Sequence, residues 1–169
     1  NLGDIGDGIN VAAGVFVNNS TTSQGGGIIT VNGVAGSGLN IAGILENGSI
    51  VAGDSLGIIT IDNVNGNGIN LSGTFTNQAS SKLAIGENGG NIRGFGVAGT
   101  GTIMNANSTI IINGTAGSFD LTSLVTNTGD CGLLEITGPT DFMGGLTNNA
   151  IIISSAPANS VTVAGGPFI

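Results

Sequence analysis

A repeat of thirty residues is the feature of this sequence that most restricts its fold. Residues 27–34, GIITVNGV, return as residues 57–64, GIITIDNV, 30 positions later. Residues 36–41, GSGLNI, return at the same spacing as residues 66–71, GNGINL, and an earlier copy, GDGINV, stands at 6–11. Self-similarity at a fixed period of about 20–50 residues is typical of solenoids, propellers and arrays. The chain is therefore predicted to consist of stacked copies of one small unit.

The residue pattern within each copy is that of strands. Apolar residues alternate with polar ones in short runs such as Leu39/Ile41 and Ile69/Leu71, and Gly or Asn separates the runs. A period of two is typical of strands, and Gly and Asn are typical of turns. Helical repeats need long apolar stripes and helix formers, yet charged residues are only 7% of the chain. We predict an all-β fold, a parallel β-solenoid with about 30 residues per coil, whose successive coils lie about 4.8 Å apart.

The repeat also indicates the domain organisation. It is regular over roughly residues 5–105 and fades over residues 106–169, where we expect degenerate coils or a terminal cap. A fourth copy is expected at residues 97–101, VAGTG, because they are similar to residues 34–38, VAGSG. No linker-like stretch divides the chain, so a single β-solenoid domain over residues 1–169 is predicted.

Stacking of coils predicts columns of like side chains. Phe16, Leu45 and Phe75 stand at equivalent positions and are expected to stack. Stacked asparagine amides hydrogen-bond along the axis of a cross-β structure, which predicts a structural ladder of Asn18, Asn47 and Asn77. A charge repeated in every coil would place like charges about 5 Å apart, which explains why charged residues are few.

The residue types that are missing exclude several functions. The chain has no His, so a Ser-His-Asp triad and a His-ligated metal are excluded. Residues 53–56, GDSL, spell the nucleophile block of GDSL esterases, but without His they are not expected to act as one. The acidic stretch 3–8, GDIGDG, is only faintly similar to Ca²⁺ loops, and its acids do not recur in later copies. No metal, cofactor or catalytic residue is expected.

The charge balance bears on the partners. Two cations against ten acids give a net charge of −8, so nucleic acid is not expected as a partner. Apolar runs are far shorter than the roughly 20 residues of a membrane-spanning helix, so no membrane insertion is expected. The single Cys131 is expected to be a small buried residue. Six Asn-x-Ser/Thr sequons are possible N-glycosylation sites: Asn18, Asn19, Asn47, Asn70, Asn107 and Asn113.

The repeated blocks resemble a known class of surface proteins. Copies of Gly-Ile-Ile-Thr-Val/Ile, Gly-x-Gly-Ile/Leu-Asn and Gly-x-Phe/Leu-x-Asn over roughly residues 5–105 are similar to passenger domains of autotransporters and to filamentous-haemagglutinin-type adhesins. Gly/Asn-rich bacterial surface antigens are the most similar in composition. The resemblance implies a right-handed β-helix, an extracellular or cell-surface location, and a role in adhesion or surface coating. It carries over no functional residue.

Three functions follow as hypotheses. The first is a non-enzymatic extracellular structural or adhesive surface protein, whose partners are the rest of a longer surface protein or a host or neighbouring-cell surface. The second is a self-assembling filament subunit, whose copies stack end to end or exchange a donor strand from the apolar tail 161–169. The third is a carbohydrate-active enzyme on a β-helix scaffold, with Asp54 and Glu87, or Asp62 and Arg93, as candidate pairs.

Overall fold

A computed structural model of the chain describes residues 6–19, 27–49, 56–114, 116–154, 161–164 and 169. These residues form an all-β structure in which three strands make one coil and successive coils stack on one another. No helix occurs within these ranges. The predicted parallel β-solenoid is confirmed.

Six coils have all three of their strands in the described ranges. Coil 1 consists of β1 (Ile9–Val11), β2 (Val15–Asn18) and β3 (Gly27–Val34), and coil 2 of β4 (Leu39–Ile41), β5 (Ile44–Asn47) and β6 (Gly57–Val64). Coil 3 consists of β7 (Ile69–Leu71), β8 (Thr74–Asn77) and β9 (Lys82–Ile85), and coil 4 of β10 (Phe95–Gly99), β11 (Thr102–Ala106) and β12 (Thr109–Ile112). Coil 5 consists of β13 (Gly117–Leu121), β14 (Val125–Thr128) and β15 (Leu133–Ile136), and coil 6 of β16 (Thr140–Phe142), β17 (Leu146–Asn148) and β18 (Ile151–Ser154). A seventh coil begins with β19 (Val161–Val163).

Three parallel sheets run along the solenoid. Sheet A contains the first strand of every coil together with β19, sheet B contains the second strands, and sheet C contains the third strands. Each strand pairs with the equivalent strands of the coils before and after it. The hydrogen bonds between coils therefore run along the solenoid axis, and the strand spacing of about 4.8 Å sets the rise per coil.

The predicted columns of like residues are present. Phe16, Leu45 and Phe75 are in register in sheet B. Ile28 and Ile58 are paired in sheet C, but Ile28 faces outward and is 70% exposed. Equivalent positions thus stack on both faces of a sheet, and only the inward-facing columns form the core.

The spacing between equivalent residues changes along the chain. In sheet A, Leu39 pairs with Ile69 at a distance of 30 positions, and Ile69 pairs with Val97 at 28. Val97 then pairs with Phe119 at 22 positions, and Phe119 with Thr140 at 21. The thirty-residue period describes the first coils, and the later coils are shorter by about nine residues.

The degenerate coils that were expected after residue 105 belong to the same three sheets, because β13 to β18 continue the pairing of the earlier strands. The predicted alignment of the fourth copy is wrong. Val97 stands in the column of Ile69 in sheet A, whereas Val34 pairs with Val64 in sheet C. Two segments that share the short sequence VAGxG can therefore lie in different sheets when the connections between strands change length.

Shorter connections and shorter third strands account for the change in spacing. β3 and β6 have eight residues each, and β12 and β15 have four. The connection between the second and third strands covers residues 19–26 in coil 1 and only residues 107–108 in coil 4. Asn107 turns the chain there with a φ of 49°, a conformation that Asn tolerates better than most residues.

The core is a column of apolar side chains enclosed by the three sheets. Inward-facing residues alternate with outward-facing ones along the strands, and the largest fully buried side chains are Phe75, Phe119 and Phe142. The rings of Phe119 and Phe142 lie 5.1 Å apart between centroids at an angle of 41°, within the range of favourable aromatic pairs. The polar residues that remain inside lie mainly at one corner, between sheets B and C.

Candidate functional site

The corner between sheets B and C holds a continuous ladder of asparagine side chains. Nδ2 of Asn18 donates to Oδ1 of Asn47, and Nδ2 of Asn47 donates to Oδ1 of Asn77, each at 2.8 Å. The ladder continues beyond the three predicted residues through Asn105, Asn127 and Asn148, again at 2.8 Å per step. One asparagine from each of the six coils is therefore joined to the next along the axis.

The second hydrogen of each amide joins the ladder to the backbone of sheet C. Nδ2 of Asn77 also donates to the carbonyl of Thr109 at 2.9 Å, and Nδ2 of Asn127 to that of Ile151 at 3.1 Å. Asn47, Asn77 and Asn127 are completely buried. Buried polar groups are unfavourable unless they are hydrogen-bonded. The amide nitrogens of the ladder meet this requirement, so this corner can be filled by asparagines instead of apolar side chains.

The sequence contains a signal that would have identified the complete ladder. Each ladder asparagine is the last or the last but one residue of the second strand of its coil and follows an apolar residue by two positions, as in Phe75-Thr76-Asn77 and Val125-Thr126-Asn127. A search at a fixed spacing of thirty finds only Asn47 and Asn77, and Asn18 joins them because the duplicated block around it is recognisable at a spacing of 29. The motif apolar-x-Asn includes all six, because it does not depend on the length of the connections, but it also matches Asn19, Asn63 and Asn113, which lie outside the ladder.

The outer face of sheet B carries a set of stacked threonines. Thr74 pairs with Thr102, and the column that begins at Thr76 continues through Met104 to Thr126 and Thr147. We call Thr74, Thr76, Thr102, Thr126 and Thr147 the threonine face. It contains no charged residue over coils 3–6, in contrast to coil 2, where Glu46 occupies the position paired with Thr76.

A shallow groove lies on the outside of sheet A near its boundary with sheet B. Its volume is about 260 Å³, and it is lined by Asn40, Asn70, Leu71, Ser72, Ala98, Gly99 and Thr100. The groove forms because the outward-facing column changes from Asn70 to the small Ala98. Gly99 follows with a φ of 136°, and a Cβ there would lie 2.0 Å from the carbonyl oxygen of Leu71.

The six sequon asparagines occupy different environments. The side chains of Asn18 and Asn47 are buried, and their amide nitrogens donate within the ladder. An N-linked sugar is attached at that nitrogen, so these two positions are not compatible with a glycan in the folded chain. Asn19, Asn70 and Asn113 are half-buried and Asn107 is exposed, and glycosylation at these positions stays a prediction.

The expectation of a buried cysteine is wrong. Cys131 is exposed and lies in the turn between β14 and β15. The turn follows Thr128, which ends β14, and connects sheet B to sheet C outside the core. Cysteine is often buried as a small apolar residue, but its place in a turn overrides that tendency here.

Of the carboxylates considered for catalysis, Asp62 and Glu87 are among the described residues and Asp54 is not. Asp54 and the first three residues of the GDSL stretch lie outside the described ranges, as does Asp4. Glu87 is paired with Lys82, whose Nζ lies 2.6 Å from Oε2. Within the described ranges, no three or more side chains of His, Cys, Asp and Glu are grouped as metal ligands.

Comparison of the chain with protein-family models, curated proteins and solved structures found no match. The resemblance to autotransporter and haemagglutinin-type proteins therefore rests on the repeated sequence blocks. The described part of the chain contains no helix long and apolar enough to cross a membrane.

Proposed function

We propose that the chain is a non-enzymatic structural protein of the extracellular surface, a stiff β-solenoid segment that carries an adhesive face. The observation that carries this proposal is the unbroken ladder through six coils. It adds a buried hydrogen bond to the three sheet connections between each pair of coils. A molecule in which every coil is held to the next at all three sheets and at one corner suits a stalk or spacer.

The sequence composition supports a role outside the cell. Only two residues, Lys82 and Arg93, are basic, so proteases that cleave after Lys or Arg have few sites. Lys82 is held in β9 and is ion-paired with Glu87. Sheets and buried amides leave few backbone groups open to proteolysis, which is an advantage for a surface-exposed protein.

The threonine face is the surface we propose for adhesion. Its hydroxyl groups both donate and accept hydrogen bonds, and none of the five side chains carries a charge that would have to be desolvated against a neutral partner. The threonines that are paired in register, Thr74 with Thr102 and Thr126 with Thr147, lie about 4.8 Å apart along the axis and suit a neutral polymer with hydroxyl groups of its own. The partner class is therefore a neutral polysaccharide of a host or neighbouring cell.

The test is adhesion of beads coated with the purified chain to cells and to immobilised neutral polysaccharides. A triple variant adds negative charge to the threonine face by Thr76→Glu, Thr126→Glu and Thr147→Glu. A matched control adds the same charge to the outer face of sheet C by Thr30→Glu, Thr60→Glu and Thr109→Glu. We expect the first variant to lose adhesion and the control to keep it. Equal adhesion of both variants, or no adhesion of the unaltered chain, would reject the proposed face.

A second candidate is the self-assembling filament subunit, and the two ends of the solenoid favour it. All ladder amides donate in one direction, from Asn18 toward Asn148, so the first rung presents an acceptor and the last rung an amide. Apolar side chains are exposed in the first and last complete coils that the structure describes, with Phe16 at 41% in coil 1 and Ile153 at 46% on the outer face of sheet C in coil 6. Open strand edges with apolar side chains are templates for pairing.

Light scattering and electron microscopy distinguish the filament from the monomeric segment. We expect polymers of the unaltered chain and a smaller assembly for Phe16→Glu, which places a charge on the first coil. Deletion of residues 161–169 separates end-to-end stacking from donor-strand exchange, because only the second requires that tail. A chain that stays monomeric at high concentration rejects the filament and leaves the adhesive segment.

A further inference from the structure

Among the described residues, Asp62 is the one acid with a buried side chain. It lies near the end of β6 and is only 7% exposed. The equivalent residue in coil 1 is Asn32, which is paired with Asp62 in sheet C and is exposed. Asp62 is covered because β9 ends at Ile85, and residues 86–91 of coil 3 form a loop across the end of β6.

The carboxylate of Asp62 is not fully compensated. Its Oδ2 accepts a hydrogen bond from Nδ2 of Asn88 at 3.1 Å. Its Oδ1 has no hydrogen-bond partner, and it is the one buried side-chain nitrogen or oxygen of the described residues in that state. Lys82 pairs with Glu87 and not with Asp62. A buried carboxylate oxygen without a partner is unfavourable, and a bound cation would supply the missing partner at Oδ1.

The loop above Asp62 has the composition of a cation-binding loop. Its sequence is Gly-Glu-Asn-Gly-Gly-Asn over residues 86–91. Gly86 and Gly89 have positive φ values of 68° and 76°, which fold the backbone toward β6. Gly90 lies directly against the carboxylate, because a Cβ added there would be 2.5 Å from Oδ1. The amide of Asn88 and the backbone at Gly90 thus lie against a buried acid, and carboxylate, carbonyl and amide oxygens, which Asp62 and this loop contain, are the ligands that hard cations prefer.

We propose that Asp62 and the loop 86–91 bind a hard divalent cation, with Ca²⁺ as the best match. The carboxylate of Asp62 supplies the anchoring charge, and loop carbonyls and water complete the coordination. Asn88 supplies its carbonyl oxygen after rotation of its amide, since the oxygen and nitrogen of an amide are exchanged by a half-turn. Ca²⁺ accepts six to eight oxygen ligands in flexible geometry, whereas Mg²⁺ requires a near-ideal octahedron.

The low number of charges at the site sets its affinity. One buried carboxylate is far fewer than the acidic ligands of intracellular Ca²⁺ sensors, and affinity follows the number of charged ligands. We expect dissociation constants on the order of 10⁻⁴–10⁻³ M, the range of extracellular modules. Such a site is filled at extracellular calcium concentrations and stabilises coils 2 and 3 against each other. The inference is independent of the adhesive role proposed above.

The experiment measures Ca²⁺ uptake and thermal unfolding of the whole chain. Equilibrium dialysis with Ca²⁺ should show one bound ion per chain. The melting temperature, followed by circular dichroism, should rise by roughly 3–10 °C between chelator and 10 mM Ca²⁺, as expected for binding to the folded state alone. Mg²⁺ at the same concentration should give a smaller rise. Absence of uptake by the unaltered chain overturns the proposal.

Two variants and a matched control locate the site. Asp62→Asn should weaken Ca²⁺ binding at least about tenfold, the lower end of the loss on removing even an indirect metal contact. Without Ca²⁺ it should melt at a higher temperature than the unaltered chain, because no buried charge remains. Asn88→Ala lies in the loop outside the sheets and should also weaken Ca²⁺ binding. It tests the site even if Asp62→Asn folds poorly. Asp120→Asn, on sheet A, should bind as the unaltered chain does. Uptake unchanged in both Asp62→Asn and Asn88→Ala overturns the proposed site.

Discussion

Coils 1–3 and coils 4–6 have the same strands but different lengths. Equivalent residues of coils 1 and 2 are 30 positions apart in sheet A, and those of coils 5 and 6 are 21 apart. Both regions contribute to the same three sheets, and every coil adds one asparagine to the ladder. The structural unit is therefore a coil of about 21 residues, and the additional residues of the early coils lie in longer third strands and connections.

The comparison separates the residues that hold the coils together from those that only form the outer surface. The inward-facing apolar positions and the ladder asparagine occur in both regions, whereas the outward-facing column of sheet A changes. It reads Asn10, Asn40 and Asn70 in the early coils and then Ala98, Asp120 and Asp141 in the later ones. The outward-facing residue can therefore change from coil to coil, because closing a coil does not require a particular residue type there.

The largest expected effect tests whether both regions have an equally packed core. Phe75→Ala in coil 3 and Phe119→Ala in coil 5 each remove a completely buried ring. Each should lower the free energy of unfolding by about 3–5 kcal/mol, since truncation leaves a cavity. Urea unfolding of both variants measures the difference. A much smaller loss for Phe119→Ala would show that the short coils are packed more loosely than the long ones.

The next effect tests whether the ladder is equally important in both regions. Asn77→Ala removes the partner of Asn47 and of Asn105, and Asn127→Ala removes that of Asn105 and of Asn148. Each variant leaves buried polar groups unpaired, so we expect losses of about 2–4 kcal/mol. Asn32→Ala is the matched control, because its amide oxygen accepts a hydrogen bond from Asn63 on the exposed surface. An unchanged melting temperature for Asn127→Ala would confine the structural ladder to the long coils.

The same comparison explains which features the sequence predicts. Phe16, Leu45 and Phe75 could be aligned because duplicated blocks keep their spacing. Asn105 was missed because its coil is 28 positions from the previous ladder residue and not 30. The local pattern of strand, core residue and asparagine is encoded in neighbouring residues. The lengths of the connections are tolerated over a wide range and therefore carry little information about register.

The burial of Asp62 shows a limit of a different kind. Its own neighbours in sequence, Ile61 and Asn63, give the alternation of a surface strand. It is covered by residues 86–91, which belong to the following coil and have no counterpart in the short coils. No pattern within one repeat indicates such a contact, because it depends on how a loop of irregular length packs against another coil.

A smaller effect sharpens the comparison of connections. If the extra residues of the early coils are additions to a 21-residue unit, a short coil should accept an insertion. We expect a four-residue Gly/Ser insertion between Asp130 and Cys131, in the exposed turn of coil 5, to cost less than about 1 kcal/mol, since loop length affects closure entropy weakly. Thermal unfolding and the pairing of β15, followed by amide hydrogen exchange, measure the outcome. Loss of exchange protection throughout coil 5 would show that the short turn is required for register.

The smallest expected effect concerns the outward column in which the two regions differ most. Asp120 and Asp141 are directly paired on the outside of sheet A, and like charges opposite each other in a sheet are destabilising. Asp141→Asn should therefore raise the free energy of unfolding by about 0.2–0.5 kcal/mol at low salt. In the early coils Asn40 and Asn70 occupy the same column without charge, so Asn70→Asp, beside neutral neighbours, serves as the comparison and should show little dependence on salt. At 1 M salt the Debye length falls to about 3 Å, and the gain from Asp141→Asn should disappear. A gain that persists at high salt would assign the difference to side-chain packing instead of charge repulsion.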